Sequence, residues 1–221
     1  VCNLNCTYCY YLEKKKLYPD VRYFRMDDEL LEEYTRQYID SQNVPVVSFV
    51  WQGGEPTLMG VDFFKKALKF QSKYSNGKRI ENIFQTNGTL LNDEYCKLFS
   101  DNDFLIGVSI DGPENLHDHH RKTKTGEGSF ARVMKGIELL HKYKVEFNTL
   151  SVVNAETSRQ PLEVYHFLKH IGSGFIQFLP VVERTANNPR EDLLNLVAPV
   201  FGKDASVTEW SVEPVMYGRF L

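Results

Sequence analysis

Between residues 45 and 180 the chain repeats one theme: a short apolar run rich in Val, Ile, Leu or Phe, a polar or glycine-bearing turn, then an amphipathic helical stretch. That alternation commits it to parallel strands joined by helices, because a strand that returns parallel to its neighbour needs a long crossover. Strands are predicted at 46–51, 80–85, 104–109, 145–153 and 175–179, each apolar enough to be buried on both faces. The helices between them carry apolar residues at helical spacing, such as Phe64, Ala67 and Leu68 in one and Val133, Ile137 and Leu140 in another. Asp27 or Asp28 is placed to cap a helix running to about Ile39, and Asn92 to cap one holding Tyr95 and Leu98. With 221 residues and 42% hydrophobic content, the chain can bury one sizeable core, and one globular domain is expected.

The polar motifs fall where such an architecture does its chemistry. Gln52-Gly53-Gly54-Glu55-Pro56 follows the first predicted strand, Thr86-Asn87-Gly88 the second, and Ser109-Ile110-Asp111-Gly112-Pro113 closes the third. All three sit at carboxyl ends of strands, the face on which parallel α/β sheets and barrels build their sites. A Gly-Gly pair lets the backbone approach a ligand with no Cβ in the way, and Pro56 then fixes the turn.

Cys2, Cys6 and Cys9 place three thiols within one short loop, where they can converge on a single inorganic centre. A closed structural zinc site needs a fourth ligand, yet the next cysteine is Cys96 and the first histidine His117. An iron–sulfur cube held by three cysteines leaves one iron open to a ligand. A zinc-stabilised regulatory or binding module without catalysis is the alternative from a different class.

Here the residues carry a family resemblance. The CxxxCxxC spacing, with the aromatic Tyr8 before the last cysteine and the Gly-Gly-Glu-Pro turn after the first strand, resembles the radical S-adenosylmethionine enzymes. More narrowly, residues 2–11, 51–58, 85–89 and 109–113, with Arg121 and Val145-Glu146-Phe147-Asn148, resemble the anaerobic sulfatase-maturating enzymes. The resemblance implies an α/β fold, a partial, open parallel β/α barrel of about six βα units whose first strand would precede Val1. It implies a [4Fe–4S] cluster on Cys2, Cys6 and Cys9. S-adenosylmethionine would be held by Tyr8 against the adenine, by the Gly53, Gly54, Glu55 and Pro56 turn at its amino group, by the Ser109 hydroxyl at the ribose, by a forked Arg121 at the carboxylate, and by the backbone of Val182. Asn87 and Asp111 would shape the cofactor or peptide pocket.

The reaction so implied is one-electron reductive cleavage of S-adenosylmethionine, followed by oxidation of a Cys or Ser of an unfolded sulfatase polypeptide to formylglycine. The electron donor would be a ferredoxin or flavodoxin. A thioether-forming peptide maturase would present the same cofactor residues. The family's general base belongs to a cysteine-rich C-terminal domain, and no such cysteines follow in this sequence, so this stretch alone is expected to bind one cluster and S-adenosylmethionine without completing turnover. Residues up to about 182 are expected to form the barrel, and 183–221 its end and a connector.

A net charge of −3 offers no basic field for nucleic acid. No apolar run reaches the length of a membrane span, and three of the four cysteines lie within nine residues, a poor disulfide framework. A cytoplasmic monomer is expected. Lys14 to Lys16 reads as a solvated turn, His117, His119 and His120 as a solvated loop, and Cys96 as a core residue on a helix.

Overall fold

The computed structural model describes residues 1–21, 24–190, 194–197 and 204–221 of the chain. After the short helix α1 (Tyr10–Lys14) come α2 (Asp28–Ser41), β1 (Val46–Trp51), α3 (Val61–Tyr74), β2 (Arg79–Thr86), α4 (Asp93–Asp101) and β3 (Leu105–Ser109). The chain continues through α5 (Glu114–His120), α6 (Phe130–Lys142), β4 (Phe147–Val153), α7 (Pro161–His170) and β5 (Ile176–Pro180). It closes with a two-stranded antiparallel ribbon, β6 (Arg184–Ala186) against β7 (Ala205–Val207), and α8 (Pro214–Phe220). Asp27 caps α2 by accepting from the Leu30 N–H, and Asn92 caps α4 through the Tyr95 N–H, as the sequence predicts.

The five strands pair in parallel in the order β1-β2-β3-β4-β5. Because each new strand is added beside the last, every crossover advances the same way and the sheet sweeps an open arc with helices outside, an open half-barrel. The sixth expected strand was placed ahead of Val1 and so falls outside this sequence.

Period-two alternation divides the strands between two jobs. Val47 and Phe49, Asn82 and Phe84, Ile106 and Val108, Phe147 and Val153 face the helices and are buried. Phe84 packs among Phe64, Phe99 and Phe104 at ring separations of 5.0, 4.9 and 6.5 Å, where burial of each such side chain is worth about 2–3 kcal/mol. Gln85, Ser109, Leu150 and Val152 take the opposite parity and line an inner cavity. The expectation of strands buried on both faces therefore fails on the inner side, and most visibly at β5, where no residue is fully buried. That inner face looks onto an open concavity instead of a packed core.

The segment after β5 folds back onto the sheet. Val212 N donates to Val181 O at 2.9 Å, Ala155 N to Trp210 O at 3.1 Å, and the Phe220 ring lies 4.8 Å from Phe178. No helix among the described residues is long and apolar enough to cross a membrane.

Candidate cofactor site

The cysteine loop is laid along the carboxyl rim by backbone pairing. Asn5 N donates to Lys122 O at 2.7 Å, Thr7 N to His120 O at 3.0 Å, and Leu4 bridges Thr123, so the loop is stitched to the exit of α5. Within it, Cys9 N donates to Cys6 O at 3.0 Å, a tight turn that brings these two side chains to one side. All four cysteines are free. Cys96 sits fully buried in the core on α4, apart from the other three, as expected.

Cys2, Cys6 and Cys9 open into one cavity of about 520 Å³ together with Tyr8, Gly53, Gly54, Asn87, Ser109, Arg121 and Val182. Burial pushes the Cys6 thiol up to about 12, against the pull of Arg121, and raises Cys2 as well. Both are protonated at neutral pH until a metal centre displaces the proton. Two polar groups lie against the Cys2 sulfur: the Leu4 N–H at 3.5 Å and the Asn87 amide nitrogen at 3.7 Å. Donors in that position are the kind that tune a metal-bound thiolate.

The Gly-Gly turn is pinned to the same loop, with Glu55 N donating to Val1 O at 2.9 Å. Gly53 and Gly54 have φ of 104° and 61°, and a Cβ on Gly54 would come within 2.1 Å of the Val1 carbonyl oxygen. Neither atom is the end of a flexible side chain, so Gly54→Ala must part the turn from the cysteine loop. The expected outcome is a protein that keeps its far-ultraviolet circular dichroism and binds several-fold less iron on anaerobic reconstitution.

Glu55 and Pro56 do not line the cavity. The Glu55 carboxylate is buried behind the wall, accepting from Thr57 N at 3.1 Å, Thr57 Oγ1 at 2.6 Å, Thr86 Oγ1 at 2.8 Å and Asn87 N at 2.7 Å. It ties the turn after β1 to the turn after β2. Pro56 opens the short 3-10 turn that follows.

Arg121 is corrected in one respect. Its fork is already filled: Nε and Nη2 donate to Asp111 Oδ2 and Oδ1 at 3.0 and 3.1 Å, leaving Nη1 outside the pair. Asp111 is wholly buried, accepts from the Tyr8 hydroxyl and from Val152 N at 2.9 Å, and stands behind the cavity instead of lining it. Burial alone would raise its pKa, but the Arg121 charge outweighs it and holds the carboxyl below its ordinary 3.8. The Arg121 guanidinium also lies 5.6 Å from the Tyr8 ring centre.

The three histidines do not form a solvated loop. They lie on α5, with His117 and His120 buried. Asp111 N donates to His117 Nδ1 at 3.4 Å, which leaves the proton on Nε2 to donate to Ser129 Oγ at 3.0 Å. Ser129 in turn donates to Arg121 O at 2.6 Å, so a chain of hydrogen bonds joins the backbones of the two ion-pair partners. Burial depresses the His117 pKa from 6.5 to about 4, with Arg121 adding to it. An unfolded histidine charges first as pH falls, so His117 stabilises the fold fully above pH 6.5 and loses that contribution between 6.5 and about 4. His117→Gln should flatten this limb of a urea-midpoint profile.

His119, His120 and Glu156 bring ligand atoms within 4.8 Å of one another, but they make a hydrogen-bonded group and not a cation site. His120 Nε2 lies 2.9 Å from Glu156 Oε2, while its buried Nδ1 has no hydrogen-bond partner among the described residues. A lone pair is the cheaper group to leave there, which puts the proton on Nε2. A cation on Nε2 would force that proton onto Nδ1 and bury an unpartnered donor.

Leu150, Val152 and Glu183, which belong to none of the sequence motifs, also line the cavity, as do the motif residues Tyr10, Tyr11, Gln52 and Gln85. Gln85 and Ser109 share the inner parity of neighbouring strands, with Gln85 Nε2 donating to Ser109 Oγ at 3.1 Å. Counting by twos from Ser109 along the strand and across to its partners would have found the inner face.

Residues 1–168 match the Radical SAM superfamily. The chain belongs to that family. Radical SAM chemistry uses a [4Fe–4S] cluster and S-adenosylmethionine, and the residues fit them: three thiols share one cavity, the fourth cysteine is elsewhere, and the buried His120 is engaged by Glu156. Among its relatives, the serine-type anaerobic sulfatase-maturating enzyme of Bacteroides thetaiotaomicron is 48% identical over 221 residues, which is 100% of this chain and 53% of that protein. The cysteine-type enzyme of Clostridium perfringens (strain ATCC 13124) is 37% identical over 221 residues, covering 55% of its length. A solved structure, native anSMEcpe with bound AdoMet and Kp18Cys peptide, superposes with a TM-score of 0.80 at 37% identity, over 100% of this chain and 55% of that one. The chain spans about half the length of the relatives it matches.

Proposed function

We propose that this radical SAM chain is the cofactor-binding part of an anaerobic sulfatase-maturating enzyme, which oxidises a Cys or Ser of an unfolded sulfatase polypeptide to formylglycine. One observation carries the reading: Cys2, Cys6 and Cys9 share a single cavity with the Gly53-Gly54 turn, Ser109 and Arg121. The 48% identity to a named member of that group supports this activity within the superfamily.

Cys2, Cys6 and Cys9 would hold the cluster and leave its fourth iron for the amino-acid end of S-adenosylmethionine. When bound, the cluster supplies the electron that cleaves the sulfonium. The chain's own residues prepare the place. Gly53 and Gly54 offer bare backbone beside the cysteine loop. The Ser109 hydroxyl, oriented by Gln85, suits a ribose, and Arg121 is stiffened by Asp111 while its Nη1 stays outside that pair. Tyr8 presents a ring for the adenine, and Val182 closes the far wall beside its backbone. Leu150 and Val152 supply an apolar floor that excludes water from a reactive intermediate.

Residues to about 182 form the radical SAM core in this reading, with 183–221 as its closing segment and connector. The enzyme works as a cytoplasmic monomer fed by a ferredoxin or flavodoxin.

The test is anaerobic incubation of the full-length enzyme with reductant, S-adenosylmethionine and a peptide spanning a sulfatase's modified Cys or Ser, followed by mass spectrometry. The expected product is an aldehyde at that residue, trapped by a hydrazine, with one 5′-deoxyadenosine formed per residue modified. A thioether cross-link with no aldehyde contradicts the reading, and 5′-deoxyadenosine without peptide modification leaves only the superfamily.

A further inference from the structure

Glu183 follows β5 and lines the cavity that holds the cysteines, on the wall continued by Val181 and Val182. Its place is fixed on three sides. Its N–H donates to Ser211 Oγ at 2.8 Å, its carbonyl accepts from Thr208 N at 3.0 Å, and the Trp210 indole donates to Oε2 at 2.8 Å. The carboxylate is half-buried, and no ion pair is formed with it among the described residues. Burial raises the Glu183 pKa against the Trp210 hydrogen bond, and a second carboxylate, Glu13, itself held by the N–H groups of Asn195 and Leu196, raises it further. Glu183 thus puts a carboxylate on this end of the cavity with a second carboxylate behind it and, among the described residues, no ion pair.

A partly desolvated carboxylate with a single neutral donor gains from a charged one. The cationic end of S-adenosylmethionine belongs at the cysteine loop and the Gly53-Gly54 turn, which follows β1. Glu183 follows β5, the opposite end of the five-stranded order. The cofactor's ribose, placed at Ser109 and Val182, offers only neutral hydroxyls, so a charged donor for Glu183 has to come from the polypeptide.

We infer that Glu183 binds a basic side chain of the peptide substrate, an Arg or Lys near the residue being oxidised, and so helps choose and seat that peptide. The inference rests on the proposed peptide-modifying function and adds to it a subsite and the charge of its occupant. Trp210 acts as a positioning residue, since it holds the carboxylate from the side away from the ligand.

The test uses the full-length, cluster-loaded enzyme and a sulfatase-derived peptide in which each Arg is replaced in turn by citrulline and each Lys by Gln. In the wild type, one such replacement should raise the peptide KM roughly 10- to 100-fold, the range for loss of a charge-assisted hydrogen bond, with kcat nearly unchanged. In Glu183→Gln the unaltered peptide should already show the high KM, and the same replacement should add nothing. S-adenosylmethionine affinity should be equal in both enzymes. An equal penalty on every peptide, or a loss of S-adenosylmethionine affinity in place of peptide affinity, overturns the assignment. Should Glu183→Gln not fold, the wild-type series decides alone, because no sensitive basic position means no such subsite. A wild type that forms 5′-deoxyadenosine yet modifies no sulfatase peptide fails at the proposed function itself, a result distinct from a flat KM series.

Discussion

Cys6→Ala protein, reconstituted anaerobically with iron and sulfide, should be nearly colourless and carry little bound iron, whereas the parent is brown with iron and acid-labile sulfide in about equal amounts. The size of the effect follows from the ligand count. With only three thiols facing the cavity, loss of one leaves two protein ligands for the whole cluster. Cys2→Ala and Cys9→Ala should behave alike. Cys96→Ala is the control: Cys96 is fully buried in the core on α4, so its loss should cost stability, about 1 kcal/mol, while iron content stays at the parent level. An iron loss in Cys96→Ala equal to that in Cys6→Ala would mean the cluster had been placed on the wrong residues.

The second large effect is expected at Asp111. Asp111→Asn removes the charge that pairs Arg121 and leaves a guanidinium stranded beside the cavity, where both partners are buried. Breaking a buried pair by removing one member costs about 3–5 kcal/mol, a large share of the roughly 5–15 kcal/mol that holds a domain together. The urea midpoint should fall accordingly with little change in slope. Asp111→Leu combined with Arg121→Met should recover part of the lost stability, because no uncompensated charge remains, yet fail to restore S-adenosylmethionine binding. The sign of the pH dependence is set by the depressed Asp111 pKa: the pair contributes fully above the ordinary carboxyl value of 3.8 and is lost as acid protonates it below that. A midpoint unmoved by Asp111→Asn would show the pair to be energetically idle.

Much of this site is legible along the chain because its signals are local. The cysteine spacing, the Gly53-Gly54 turn and the strand-end positions of Asn87 and Ser109 each need only a few neighbouring residues to be read. The α2 and α4 caps are local for the same reason, being hydrogen bonds across three residues. What escapes are pairings set by the fold. Glu55 belongs to a motif read as cofactor-binding, but its carboxylate is used by Thr86 and Asn87, some 31 positions on. Arg121 has a fork suited to a ligand carboxylate, and a buried protein carboxylate takes it first. His120 finds Glu156 across two elements, so composition alone misplaces α5 as a loop. β5 misleads for a different reason: its apolar content reads as two buried faces, whereas one face borders an open cavity.

The central claim, that the cysteine cavity is where S-adenosylmethionine meets a cluster with an open iron, is tested most directly by electron paramagnetic resonance of the reduced, reconstituted protein titrated with S-adenosylmethionine. The predicted result is a saturable change in the cluster's signal that is weakened by Gly54→Ala. A reduced cluster whose signal is identical with and without S-adenosylmethionine would contradict it, as would a colourless protein holding zinc.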